Sequence, residues 1–412
     1  MSDLGRLLKI RDFRLLWLAQ IGSDFGDNLT FLSLMILVQR LTGSTVALAG
    51  LMIAAALPAL VFGVLSGVYV DRLDRRRTMI VSDVIRGILI LGLVFVRSES
   101  MLPLMYSIVF GQATVATLFN PARGALLPHV VGKERLLSAN SVSQTSRVLF
   151  NVLGSGAAGV LASLSSSMSA AFIVDSATFL CSAVLISMIA TRGESGGGIR
   201  ETKARRDMAA GFRVMYASRP LKGVLVGAAL AMLGFGAVNV LVVPLLLDDL
   251  QVSAAFLGLI DAAQVVGMIA SGVLVALLAA RLRPTTLVSA GLLGAGATIA
   301  MVAGVGNVWQ MAGVAVLVGL MMTPVQSGAS TLSQLLVEDR MRGRVGGALN
   351  ALISGASILS MAFAGVAAAA LGVRSVFVLA GALAAAGGLI AGFLFRGARL
   401  DTVRPTPVTE PV

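Results

Sequence analysis

Residues 46–70 read VALAGLMIAAALPALVFGVLSGVYV, and residues 71–77 read DRLDRRR. The first stretch has no charge over 25 positions; the second packs four arginines and two aspartates into seven. A bilayer core takes about 20 apolar residues per helical crossing, and Lys and Arg near span ends are retained in the cytoplasm. The pair therefore reads as a membrane helix arriving at its cytoplasmic end.

Composition extends that reading to the whole chain. Over 412 residues, 57% are hydrophobic and 13% charged, with a mean hydropathy of +0.92. A soluble domain carries about 25% charged residues, so the apolar excess needs lipid as its solvent. Cys181 and His129 are the only cysteine and histidine. Disulfide frameworks, Cys/His metal sites and triads built on His are thereby excluded. No Walker loop and no nucleophile–base–orienter set occurs, so neither ATP-driven work nor enzyme activity is expected, and no cofactor. The net charge of +12 is spread between apolar runs instead of gathered on one face, which argues for lipid headgroups over nucleic acid as its counterpart. The first apolar run is too long for a cleaved signal and carries Asp24 and Asp27, so it reads as a retained helix.

Dividing the chain at charge, Pro and Gly/Ser clusters predicts twelve spans: 13–40, 46–70, 78–97, 102–126, 138–163, 168–190, 220–247, 254–280, 285–305, 307–335, 345–371 and 374–396. Basic residues alternate with them. Twenty-seven of the 32 Lys and Arg fall on one side, from Arg6, Lys9, Arg11 and Arg14 through Arg340, Arg342 and Arg344 to Arg404. Arg40, Arg97 and Arg374 fall on the other, and Arg86 and Arg147 lie inside spans. Both termini are accordingly expected in the cytoplasm of a cell whose plasma (inner) membrane the chain crosses many times.

Between spans six and seven lies RGESGGGIRETKARRD (Arg192 to Asp207), Gly-rich and then basic. It reads as a linker, giving a first half at 1–190, a linker at 191–219, a second half at 220–396 and a tail at 397–412. Internal echoes favour duplication: Ser66-Gly67-Val68-Tyr69-Val70 against Ser271-Gly272-Val273-Leu274-Val275, and Asn120-Pro121 with Lys133-Glu134-Arg135 against Thr323-Pro324 with Glu338-Asp339-Arg340. Two parallel six-helix halves, with substrate held between them near the midplane, are a recurring transporter plan.

The string GVYVDRLDRRR (Gly67 to Arg77) resembles the signature loop of the major facilitator superfamily, matching it at Gly67, Asp71, Arg72, Arg75 and Arg76. Asp74 stands where the general pattern prefers Gly, as in the macrolide-efflux and enterobactin-exporter branch. RDFRLLWLAQIGSDFGDN (Arg11 to Asn28), NPARGALLPHVV (Asn120 to Val131), LSANSVSQTSRVLFNVLG (Leu137 to Gly154), VDSATFL (Val174 to Leu180) and RGRVGGALN (Arg342 to Asn350) are similar to that branch too. The resemblance implies an all-α membrane protein of twelve helices in two pseudo-symmetric halves. It also implies that Asp71 latches the cytoplasmic side through Arg344 or a neighbouring helix end; the plainer reading is that the loop only sets topology.

Ionisable groups inside spans are expensive and usually functional. At about 1.5 Å per residue, Asp24 and Asp27 lie roughly 16 and 21 Å from Phe13, near the midplane, and are the expected proton carriers. Gln20 and Asn28 share their helix and are expected to line the substrate cavity. Asp83 and Arg86, at i and i+3, are expected to pair along one helix. Arg147 has no local acid and is assigned to the cavity wall with Gln144 and Asn151, as counterion to Asp24 or Asp27 or as a seat for an anionic substrate group. Asp175 and Asp261 are read as interhelical polar contacts. Gly154-Ser155-Gly156-Ala157-Ala158-Gly159 spells a dinucleotide fingerprint, but inside a span it signals close helix packing.

The expected function is secondary transport: efflux of a hydrophobic or amphipathic small molecule, of a drug, macrolide or siderophore-like kind, by a monomeric proton antiporter. Each proton entering down the potential contributes about 2.3 kcal/mol per 100 mV. A lysophospholipid flippase and a non-transporting membrane scaffold or sensor are the alternatives.

Overall fold

The structure, a computed structural model, describes residues 3–70, 73–165, 167–191, 201–278 and 282–396. Its helices, in chain order, are α1 (Asp3–Leu8), α2 (Arg11–Thr42), α3 (Thr45–Val70), α4 (Arg75–Leu91), α5 (Leu102–Val131), α6 (Leu136–Leu164) and α7 (Ser169–Ser187). There follow α8 (Glu201–Ala217), α9 (Arg219–Pro244), α10 (Leu257–Leu278), α11 (Pro284–Met301), α12 (Val308–Leu336), α13 (Asp339–Leu371) and α14 (Val373–Phe395). Twelve of these, all but α1 and α8, are long and apolar enough to cross a membrane. The expected all-helical, twelve-span architecture is the one observed. The linker holds more structure than a Gly-rich connection suggests: its second part is α8, built from Glu, Lys, Ala, Arg and Met, which favour helix.

The described residues fall into two compact units, within Met1–Glu201 plus Leu246–Ala262 and within Thr202–Leu245 plus Ala263–Val412. In the first, α2 packs on α6 and α7, and α4 packs on α5 and α7. In the second, α9 packs on α13 and α14, and α11 on α12 and α14. One packing scheme thus occurs twice, seven helices apart, which gives the sequence echoes a structural counterpart.

Side-chain polarity on the helices is inverted relative to a soluble bundle. On α4, Ser82, Asp83, Arg86 and Gly87 are buried while Val81, Ile85 and Ile88 are exposed. Water would penalise that arrangement; hydrocarbon rewards it, because polar groups in lipid must find partners inside the protein. Small residues then bring helices close. A Cβ on Gly154 of α6 would meet the backbone of Phe25 and Leu29 on α2, and one on Gly26 of α2 would meet Asp175 and Thr178 on α7. Of the segment spelling a dinucleotide fingerprint, Gly154 serves as expected, as a point of close helix contact.

Polar side chains close the helix ends. Asp74 caps α4, its carboxylate accepting from the Arg77 amide at 2.8 Å. The departure from the family pattern at this position therefore supplies an N-cap, a device typically giving about 1 kcal/mol. Arg76 donates to the carbonyls of Ile186 and Ser187, and Asp12 accepts from the Thr191 amide at 2.8 Å and its hydroxyl at 2.6 Å, so both hold the end of α7. Two of the three basic residues expected outside are used similarly. Arg40 donates to Ala162 and Ser165 at the end of α6, and Arg374 donates to Ala303 and Val305 beyond α11. Cations there meet the negative end of a helix.

Candidate functional site

Helix α2 carries Gln20, Ser23, Asp24, Asp27 and Asn28 in two turns, which places polar groups toward α6 and toward α4, α5 and α7 together. The two aspartates, predicted to act as one pair, are charged neighbours of each other, and each has its own arginine.

Around Asp27, Arg86 of α4 donates from Nη2 to both carboxylate oxygens at 2.8 Å, and Gln112 of α5 donates from Nε2 at 3.0 Å. Arg86 also lies 4.0 Å above the ring centroid of Phe179 on α7. A guanidinium held by a carboxylate and an aromatic face is well satisfied in low dielectric. This overturns the expected Asp83 and Arg86 pair. Both residues are buried on one face of α4, but α2 crosses that face and offers Arg86 a two-point acceptor, while Asp83 Oδ2 accepts from the Ser182 hydroxyl at 2.5 Å. Asp175, also fully buried, lies against Gly26 beside Asp27 and accepts from the Thr178 hydroxyl at 3.3 Å.

Around Asp24 the contacts are looser. Arg147 Nε of α6 stands 3.6 Å from Asp24 Oδ1, the counterion role envisaged for it. Asn28 Nδ2 donates to the Asp24 carbonyl at 3.0 Å and to Asn151 Oδ1 at 2.7 Å, tying α2 to α6. Gln20 is buried, and its Nε2 has no hydrogen-bond partner among the described residues. Gln144 is exposed, on the same face of α6 as Arg147 and Asn151.

Two residues of the site escaped the sequence reading. Arg123 of α5 is a charged neighbour of both Asp24 and Arg147; its position three residues inside the predicted fourth span was the available signal. Gln112 is an uncharged polar residue in an apolar run, which carries no signal by itself.

A cavity of about 240 Å³ opens beside the Asp27 cluster. Asp27, Asn28 and Phe31 of α2, Ala55 of α3, and Val109 and Gln112 of α5 are among the residues that line it. Phe31, Leu34, Ala55, Val109 and Ala113 make its apolar wall, and Asp27, Asn28, Thr30 and Gln112 its polar one.

Of the proposed gating residues, Gly67 is in the last turn of α3 and Arg76 serves the end of α7. Arg75 is on the first turn of α4, and Arg344 Nη1 reaches Met341 Sδ at 3.3 Å on α13. Asp71 and Arg72 lie outside the described residues. Asp261 of α10 neighbours Ser155 of α6. His129 Nδ1 lies 3.0 Å from the Ala125 carbonyl, and Cys181 is exposed.

A double six-helix arrangement with ion-paired carboxylates inside its spans defines a multi-pass membrane protein. Residues 6–407 match the family described as transmembrane secretion effector, and the chain belongs to that family of the major facilitator superfamily. It is 29% identical over 169 residues to the uncharacterized MFS-type transporter YfiS of Bacillus subtilis, a match covering 41% of this chain and 40% of that protein. The chain thus spans less than half the length of that relative. Macrolide efflux protein A of Streptococcus pyogenes is 24% identical over 90% of this chain and 93% of its own. The enterobactin exporter EntS of Escherichia coli is 27% identical over 81% and 80%. Among solved structures, a bacterial homologue of the human lysosomal transporter Spinster superposes with a TM-score of 0.77 at 15% identity, over 94% of this chain and 98% of that one. That likeness concerns the fold.

Proposed function

We propose that this protein exports a hydrophobic or amphipathic small molecule across the plasma membrane by alternating access, in exchange for protons carried on Asp24 and Asp27. One observation supports this reading above the rest: each of these carboxylates has its own arginine on another helix, Arg147 at 3.6 Å and Arg86 at 2.8 Å. A carboxylate in a spanning helix can be neutralised either by a proton or by a guanidinium, and exchanging one for the other changes which helices are tied together. That is the physical requirement for coupling proton entry to a conformational cycle. The efflux proteins among the relatives support the direction of transport.

The experiment is transport by purified protein in proteoliposomes, with a pH-sensitive dye inside. An imposed proton gradient should drive movement of at least one member of a panel of amphipathic compounds, and the compound should in turn drive proton movement. Indifference to the gradient across the whole panel would remove the coupling; movement of the compound only down its own gradient would make the protein a uniporter.

A further inference from the structure

The Asp27 cluster holds more carboxyl groups than cations. Its charged members are Asp27 on α2, Asp83 and Arg86 on α4, and Asp175 on α7, with Gln112 of α5 completing the ring. Among the described residues, three carboxyls therefore face one guanidinium. Ionised together they would place two uncompensated negative charges inside the membrane domain, a cost that proteins avoid by keeping protons on the acids.

Geometry says which acids keep them. Asp27 takes two hydrogen bonds from Arg86 Nη2 at 2.8 Å and a third from Gln112, so its two oxygens are served as a carboxylate's should be. Its side chain is 34% exposed and lines the 240 Å³ cavity. Asp83 and Asp175 are 0% exposed. Each has a hydroxyl partner on one oxygen, Ser182 and Thr178, and on the other, Asp83 Oδ1 and Asp175 Oδ2, no partner among the described residues. A fully buried carboxyl whose donors are neutral hydroxyls, and which shares its one nearby cation with two other acids, favours the protonated form.

Arg86 has an alternative partner. Its Nε has no hydrogen-bond partner among the described residues, and Asp83, one turn earlier on the same buried face, has Oδ1 vacant. Positions i and i+3 on a helix are neighbours. We propose that Asp83 and Asp175 are the buried proton store of the transport cycle, and that Arg86 moves from Asp27 to Asp83 when Asp27 is protonated from the cavity. The proton arriving on Asp27 frees Arg86; Arg86 then pairs with Asp83, whose own proton passes to the water that reaches the cluster in the opposite-facing state of the cycle. One proton enters and one leaves the cluster, so its charge stays constant through the exchange. Asp83 thereby becomes a coupling residue, in addition to the two aspartates of α2, while Asp175 holds its proton throughout. The proposal deepens the proton-coupled reading and rests on it for its place in the cycle, although the proton positions stand independently.

Infrared difference spectroscopy of the full-length protein in detergent tests it without any substrate. At neutral pH the protein should show carbonyl-stretch bands of buried, protonated carboxylic acids, shifting in heavy water. Asp83→Asn should remove one band and Asp175→Asn another. Asp27→Asn should also remove the Asp83 band, because Arg86 then holds Asp83 ionised. In Arg86→Gln an additional band should appear as Asp27 takes a proton. Persistence of the Asp83 band in Asp27→Asn overturns the movement of Arg86, and bands unaffected by Asp83→Asn and Asp175→Asn overturn the store. A failure of gradient-driven transport with these bands intact would count against the export reading alone.

Discussion

Arg86 and Asp27, 59 positions apart in the chain, are joined through one guanidinium nitrogen that donates to both carboxylate oxygens at 2.8 Å. The Arg86 side chain is 7% exposed, so the pair ties α2 to α4 where the guanidinium has little water to fall back on. Breaking a buried pair by removing one member typically costs about 3–5 kcal/mol. Arg86→Ala should therefore lower the melting temperature in detergent sharply. The neutral combination of Asp27→Asn with Arg86→Gln should recover most of that loss, since no charge is then stranded. Equal melting of the single and double variants would show that the pair is not the reason.

Asp24 offers the opposite case. Its contact with Arg147 is 3.6 Å and its Oδ2 has no hydrogen-bond partner among the described residues. Asp24→Asn should fold as well as the unaltered protein and lose gradient-driven transport. Both are measurable on one preparation, by melting and by dye-reported proton movement in proteoliposomes. Transport that keeps its response to the gradient in Asp24→Asn would reassign coupling wholly to the Asp27 cluster.

Packing at α2 depends on a missing side chain. A Cβ on Gly26 would run into the Asp175 carboxylate and the Thr178 hydroxyl, whereas one on Gly22 would meet nothing within 4 Å. Overpacking usually costs about 1–3 kcal/mol, and Ala in a helix is favoured over Gly by about 1 kcal/mol. Gly26→Ala should destabilise and Gly22→Ala should be neutral or stabilising, with melting temperature in detergent as the measure.

The cap on α4 is a local test of the same kind. Asp74→Ala removes the acceptor for the Arg77 amide and should cost about 1 kcal/mol, while Asp74→Asn or Asp74→Ser should retain most of it. A variant carrying Gly at this position, as the general family loop does, should lie within a few tenths of the original.

Much of this molecule was written locally. Twelve crossings, their rough limits and the basic side of the chain come from sums over neighbouring residues, because lipid solvation acts on each span of about 20 residues almost independently of the others. The observed spans Arg11–Thr42 and Val373–Phe395 differ from the predicted 13–40 and 374–396 only at their ends. Family membership was legible for a related reason, since loop strings such as Gly67 to Arg77 are contiguous. The intramembrane acids Asp24, Asp27 and Asp83 stood out on cost alone.

Partnership was legible only in part: Arg147 meets Asp24, one of the two acids expected for it, whereas the partner of Arg86 was not the expected one. Which arginine meets which aspartate depends on how far each helix is rotated and how closely it approaches, and that is set by contacts such as Gly26 on Asp175 and Gly154 on Phe25, each more than 100 residues apart. Sequence spacing favoured Asp83 for Arg86 because i and i+3 are neighbours; the tertiary structure awarded Arg86 to Asp27 because α2 brings a two-oxygen acceptor across the same buried face. Arg123 and Gln112 joined the site in the same way. Lipid solvation is additive along the chain and can be read from it, whereas hydrogen-bond geometry between helices exists only once they are packed.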